Sequence, residues 1–379
     1  MMKIIKKAIL PKGFKANGSA SGIKKSGKLD LALIYTDVPA IAAGKFTCNK
    51  VQAAPLKVNK LHLKKNKLFR AILANSGNAN CFTGRQGFPD AVRSAAVLGR
   101  ALGVKKEAIL VASTGIIGKR LPIGMIEKAV PGLVRGLSAQ GIAKAQKAIM
   151  TTDVFAKEVT AVFDAGGVPV TVCGIAKGAG MIAPHMATML CFVMTDALIS
   201  PGALRTALDG AVEDSFNCIT VDGCMSTNDN VIVLANGAAG NPCIRTGSHG
   251  APFFKALRAV CLELAMMMVR DGEGATKFIR ITVRQGRTAK ESRQVALAIA
   301  NSNLFKTAVY GENPNFGRIV AAAGASGIEV NEEDLRVKLG PLNRRDIEVD
   351  VSLGRGRAGA TVYTSDLTPE YIKINAAYN

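Results

Sequence analysis

The chain has 379 residues, 48% of them hydrophobic, with 39 glycines and a formal net charge of +21. That length allows two domains, or one large and one small, and the apolar share excludes a disordered chain. The charge is dispersed and densest in the N-terminal third ("SGIKKSGK", "KLHLKKNKLFR"), with 5% aromatics and no Trp for base stacking; this argues against nucleic acid and for attraction of small acidic substrates.

Other classes fall away on similar grounds. The apolar stretch of "MMKIIKKAILPKG" is broken at once by Lys and Pro, too short for a signal-peptide core. No apolar run approaches a membrane span, so a soluble, cytoplasmic protein is expected. The eight cysteines form no C-x-x-C pair and sit mostly in apolar contexts, as buried thiols of a reduced compartment do. His62, His185 and His249 lack ligand spacing, and no metal site is expected.

In chain order, "LDLALIY" (Leu29 to Tyr35) predicts a strand, and "FRAILANSGNANCFTG" a strand entering a polar loop at Asn75 to Gly84. "PDAVRSAAVLGRALG" has Pro at its start and helical spacing, and "AILVASTGIIG" is an apolar strand ending in Ser113-Thr114-Gly115. Helices near Met125 to Leu137 and Ala139 to Met150 come next, followed by a hairpin of "KEVTAVFD" and "VPVTVCGIA" around Gly166-Gly167. "TMLCFVMT" is apolar throughout, as in a strand covered on both faces. "SPGALRTALDGAVEDSF" offers Ser200 as N-cap and Pro201 at the first helical position. "DNVIVLANG" predicts a strand, "FFKALRAVCLELAMMMV" a helix, and "KFIRITVRQ" a strand with one wet face. Alternating strand-like and helix-like runs imply an α/β protein. From about Thr288 a helix, a strand, a Gly-rich loop and three short strands predict a smaller domain, residues 288–379 against 1–287.

Five polar clusters carry the candidate chemistry. "KGAGMIAPHMATML" fits a loose dinucleotide pattern, but Pro184 and a following strand leave no helix N-terminus for a pyrophosphate. The stretch is then a plain loop, or it presents Thr188 as a nucleophile on a rigid element with Lys177 and glycine N–H groups nearby. "ASTGIIG" sets a hydroxyl and a Gly N–H at a strand end, either an ordinary turn or an oxyanion cradle. Glu273 in "DGEGATK" follows a helix as a surface carboxylate or a catalytic one. Loops such as "NSGNAN" and "GENPNFGR" carry function only sometimes.

Nine segments in order, "DLALIYTDVPAIAAGKFTCNKVQAAPL", "ANSGNANCFTG", "VASTGIIG", "AIMTTD", "CGIAKGAGMIAPHMATML", "VDGCMSTNDN", "DGEGATKF", "GENPNFGRI" and "YIKINAAY", resemble the ornithine acetyltransferase (glutamate N-acetyltransferase) family of arginine biosynthesis. The resemblance implies a layered α/β sandwich of the amide-processing, N-terminal-nucleophile type with a smaller C-terminal α/β domain. It also implies self-cleavage at Ala187–Thr188 into chains 1–187 and 188–379, assembled as two copies of each. Thr188 would then be acylated by N-acetylornithine and deliver acetyl to glutamate. By the same resemblance Thr114 and Gly115 form the oxyanion hole, Lys177 and Asn375 bind substrate, and Glu273 handles the amine proton. No cofactor is implied; acetyl-CoA is a second donor in some members, and the sequence is compatible with either kind. A Thr-nucleophile amidohydrolase or aminopeptidase is the alternative on the same scaffold. Three departures bear on substrate preference: Val154 stands where a substrate-binding Thr is usual, His185 replaces an Asn, and the chain ends at Asn379, one residue short of a further substrate contact.

Overall fold

The computed structural model describes residues 2–183, 189–247 and 250–377. The chain forms two compact units. Unit 1 comprises 1–178, 185–215 and 225–264, and unit 2 comprises 179–184, 216–224 and 265–379.

Unit 1 holds β1 (Lys3–Ile5), β2 (Phe14–Ser19), β3 (Leu31–Phe46), α1 (Ala54–Lys65), β4 (Phe69–Asn78), α2 (Gly87–Leu102), β5 (Ile109–Ile116), α3 (Ile123–Arg135), α4 (Ile142–Ile149), β6 (Lys157–Asp164), β7 (Pro169–Lys177), β8 (Leu190–Thr195), α5 (Pro201–Glu213) and β9 (Asn230–Ala235). α6 (Ala251–Arg270) begins in it. Nine strands run β1-β6-β7-β8-β9-β3-β4-β5, with β2 on β3.

β3 is far longer than the expected Leu29–Tyr35 strand because it serves two partners. Leu31–Tyr35 pairs with β4, the register shifts between Tyr35 and Ala40, and Ile41–Phe46 then pairs with β9. The shift includes exposed Pro39, which has no N–H to give a ladder. Strand alternation then builds two cores. Ala32, Ile34, Ile72, Ala74, Leu110 and Ala112 share one with Ile175, Phe192, Met194 and Ile232 of the other half of the sheet. The intervening Leu31, Leu33, Leu73, Ile109 and Val111 pack on α1, α2 and α3. α6 covers the far face of β7, where a Cβ on Gly174 would stand 2.7 Å from Val260 and 2.8 Å from Leu264. The unit is thus helices, sheet, sheet, helices: a layered α/β sandwich.

Local signals explain most elements. All six β8 residues are buried, as its unbroken apolar run predicts. The Ser200 side chain accepts the Ala203 N–H at the start of α5. Of the eight cysteines, Cys81, Cys173, Cys191, Cys218 and Cys261 are buried, whereas Cys48, Cys224 and Cys243 are exposed.

Unit 2 contains β10 (Phe278–Gly286), α7 (Ala289–Ala300), α8 (Asn303–Tyr310), α9 (Phe316–Gly324), β11 (Arg336–Leu339), β12 (Asp346–Ser352), β13 (Ala358–Ser365) and α10 (Pro369–Ala377). Its sheet runs β11-β12-β10-β13. Because β10 is a central strand of that sheet, the second unit begins before the expected residue 288. Its Ile279, Ile281 and Val283 join a core with Val295, Ile299, Phe305 and Ile319 from the three helices, while Arg280 and Arg284 stay exposed. Three helices, not one, precede the small strands, and the segment carrying Asn375 is helix.

Candidate active site

In unit 1 the end of β5 meets the end of β4. Gly115 has φ of +131°, and a Cβ there would lie 2.4 Å from the Gly77 carbonyl carbon and 2.6 Å from Asn78 N. Only glycine allows that approach. Thr114, beside it, is 4% exposed, and the ladder becomes irregular at Gly77 and Asn78. The loop "NSGNAN" holds this corner through its amides. Ser113 Oγ donates to Asn75 Oδ1 (2.6 Å), Asn75 Nδ2 to the Asn78 carbonyl (2.8 Å), and Asn228 Nδ2 to the carbonyls of Ser113 (2.8 Å) and Ala79 (2.6 Å). These turn residues fix the backbone of the predicted oxyanion pair.

Lys177 closes β7 and is 2% exposed, in company the sequence did not announce. Asp153 Oδ1 accepts from Lys157 Nζ (2.6 Å) and Gly178 N (2.7 Å), and its Oδ2 accepts Thr151 N (2.9 Å). Both side chains of the Asp153–Lys157 pair are wholly buried. Burial alone would raise the Asp153 carboxyl. The charges of Lys177 and Lys157, with hydrogen bonds from Lys157 and Gly178, outweigh burial and hold it well below the usual carboxylate range. Lys24, which donates to the carbonyls of Leu29 (2.9 Å) and Met150 (2.7 Å), is pushed down to about 8 by burial, with Lys177 adding to the shift and Asp30 opposing it. The turn that aims Asp153 inward leaves Val154 85% exposed.

In unit 2 the predicted Glu273 and Asn375 are joined: Asn375 Nδ2 donates to Glu273 Oε2 at 2.9 Å. Glu273 N also donates to the Ala179 carbonyl (2.9 Å). A Cβ on Gly180 would fall 2.2 Å from Glu273 Oε2 and 2.3 Å from its carboxyl carbon, so this glycine makes room for the carboxylate. Asp222 anchors the same segment by accepting Met181 N (2.6 Å) and Ile182 N (2.9 Å), and the Tyr371 hydroxyl of α10 (3.3 Å). Burial raises the Asp222 carboxyl against those hydrogen bonds.

Ala187, Thr188 and His185 lie outside the described residues, as does His249. Sequence reasoning gave no role to Asp153, Gly180, Asp222 or Asp229. All three aspartates stood inside quoted motifs, "AIMTTD" and "VDGCMSTNDN", but nothing local marks an aspartate as buried. The dinucleotide pattern at Gly178 ends between antiparallel strands, since Lys177 pairs with Leu190. Among the described residues no group of His, Cys, Asp or Glu is arranged to hold a metal, and no helix is long and apolar enough to cross a membrane.

The comparisons agree with one another. The ArgJ family pattern matches residues 15–344. An "arginine biosynthesis bifunctional protein ArgJ" of Geobacter sulfurreducens is 45% identical, over 97% of this chain and 99% of that protein. The protein of the same name from Syntrophotalea carbinolica is also 45% identical, over 97% of this chain and 98% of its own. A crystal structure of ornithine acetyltransferase complexed with ornithine from Mycobacterium tuberculosis is 36% identical, covering 50% of this chain and 100% of that one, with a TM-score of 0.46. On the length of the family pattern and the identity of the two full-length relatives, the chain belongs to the ArgJ family.

Proposed function

We propose that the protein moves an acetyl group from N-acetylornithine to glutamate, through an acetyl-Thr188 intermediate, in arginine biosynthesis. It is an acyltransferase acting on small molecules. What carries the reading is the family match over residues 15–344, which spans every residue given a role here except Asn375. The relative from Geobacter sulfurreducens matches 97% of this chain.

The sequence of events follows from the residue types. The Thr188 hydroxyl attacks the Ala187 carbonyl, the peptide becomes an ester as the C–N bond breaks, and water hydrolyses the ester to give two chains. Thr188 then carries a free α-amine, whose reference pKa of ~8 suits a base for its own hydroxyl. The hydroxyl attacks the acetyl carbonyl of N-acetylornithine, ornithine leaves with the proton, and glutamate's amine takes the acetyl in the second half-reaction. Thr114 and the Gly115 N–H receive the oxyanion of each tetrahedral intermediate. The support for that role is the close-packed corner formed with Gly77 and Asn78.

Lys177 attracts the substrate carboxylate, and Glu273, oriented by Asn375, takes and returns the amine proton. Val154 contributes no hydrogen bond from its side chain; a lost hydrogen bond is worth ~1 kcal/mol in substrate affinity. Acetyl-CoA as a second donor agrees with the word "bifunctional" in the relatives' names. The working form is two copies each of chains 1–187 and 188–379 in the cytoplasm.

An acceptor assay tests the transfer. N-acetylornithine with glutamate should give ornithine and N-acetylglutamate in equal amounts, with parallel double-reciprocal lines. Hydrolysis of N-acetylornithine that glutamate leaves undiverted would instead make the protein an amidohydrolase.

A further inference from the structure

Glu273 is seated between two stretches of unit 2, residues 179–182 and the helix α10 that carries Asn375. One side chain, Asp222, is bonded to both. Its Oδ2 accepts Met181 N (2.6 Å) and the Tyr371 hydroxyl (3.3 Å), and its Oδ1 accepts Ile182 N (2.9 Å) and Cys224 N (3.0 Å). All four partners are donors, two at each oxygen. The position therefore calls for a carboxylate, because an amide has a single acceptor oxygen and would turn its own N–H groups on the other pair.

The segment 179–182 is held at both ends. Glu273 N donates to the Ala179 carbonyl (2.9 Å) at one end. At the other, Ile182 gives its N–H to Asp222, and its carbonyl receives the N–H groups of Val221 (2.8 Å) and Asp222 (3.3 Å). Gly180, whose missing Cβ admits the Glu273 carboxylate, lies between these anchors. Met181 has φ of +54°, a left-handed backbone that a Met adopts at a cost, and its amide is one of those that Asp222 accepts.

α10 is tied in the same way. Thr368 Oγ1 donates to the Gly274 carbonyl (2.8 Å) and accepts Tyr371 N (3.3 Å), which fastens the start of the helix to the residue after Glu273. The Tyr371 hydroxyl reaches Asp222. One turn further on, Asn375 Nδ2 donates to the Tyr371 carbonyl (3.0 Å) as well as to Glu273. Burial and the Asp222 charge push the Tyr371 hydroxyl above its usual range, so it remains a donor.

We infer that Asp222 is a positioning residue for acetyl transfer. Through Met181 and Ile182 it fixes Gly180, and through Tyr371 it fixes Asn375, so that the Glu273 carboxylate is oriented for the amine proton. Asp222 acts through Glu273 and moves no proton itself. The inference rests on the role proposed for Glu273.

The test is steady-state transfer from N-acetylornithine to glutamate by the full-length protein, in single variants and in pairs. Asp222→Asn should lower kcat roughly tenfold or more, the scale expected when a proton-transfer group is misplaced. Tyr371→Phe, which removes one of the four donors, should lower it by a smaller factor. In a Glu273→Gln background no proton transfer is left to orient, so Asp222→Asn should lower kcat there by less than about twofold. A merely structural role would cost the same factor in both backgrounds, and that result overturns the inference. Wild-type kcat in a folded Asp222→Asn protein overturns it as well. If Asp222→Asn does not fold, the same comparison is made with Tyr371→Phe, and equal losses in both backgrounds, or none in the wild type, overturn it. A Glu273→Gln protein that turns over normally removes the role of Glu273 and this inference together, whereas impaired Glu273→Gln beside normal Asp222→Asn removes this inference alone.

Discussion

Asp153 in unit 1 and Glu273 in unit 2 are carboxylates placed at candidate sites under opposite conditions. The Asp153 side chain is fully buried, paired with Lys157, influenced by Lys177 and tied to Gly178 N. Glu273 is half-buried, with an exposed amide from Asn375 as its side-chain partner and a glycine cleared to receive it. The first is part of what holds its unit together. The second is the carboxylate to which the proposed function gives the amine proton. If the buried charge fixes geometry and the half-exposed one does the proposed chemistry, substitutions should separate the two.

The largest effect is expected at Asp153. Asp153→Ala removes the buried carboxylate of the Lys157 ion pair and should lower stability by about 3–5 kcal/mol, read by denaturant unfolding. The pH dependence has a definite sign. The folded carboxyl is depressed, so its contribution is present above the unfolded value of about 3.9 and is lost as pH falls below it. The gap between wild type and Asp153→Asn should therefore narrow on acidification. A constant gap would show that Asp153 acts through packing alone.

A smaller change in stability, with a larger one in turnover, is expected in unit 2. Gly180→Ala puts a methyl where the Glu273 carboxylate lies and should displace it, and Glu273→Gln should remove proton transfer. Both should lower kcat by roughly 100-fold while stability moves by about 1 kcal/mol or less. Normal turnover in Glu273→Gln would end its proton-transfer role. Asn375→Ala should have the least effect on stability, within about 0.5 kcal/mol, and raise KM several-fold. Stability losses as large as those at Asp153 would erase the contrast between the two sites.

Much of the fold was legible because its signals are local. The unbroken apolar run of β8, the Ser200 cap and the alternation of β10 each report their own environment. α1 was not legible, because its buried face is partly polar. Asn59 exchanges hydrogen bonds with the Val111 carbonyl and N–H, and His62 Nδ1 contacts the Ile109 carbonyl. A helix that docks through Asn and His shows no apolar stripe. β3 was cut short for a related reason: "TDVP" looks like an ending when read alone and is a bend when the strand has two partners. The site divides likewise. Thr114, Gly115, Lys177, Glu273 and Asn375 came from ordered motifs, while Asp153, Asp222 and Asp229 depend on contacts 25 or more residues away that composition does not encode.

The central claim is that this chain cuts itself before Thr188 and uses the new terminus as its nucleophile. Intact-mass measurement of the purified protein tests it most directly. The account predicts two chains divided between Ala187 and Thr188 for the wild type, and one uncut chain for Thr188→Ala. A wild-type protein that remains a single chain under native conditions yet transfers acetyl at full rate would contradict it.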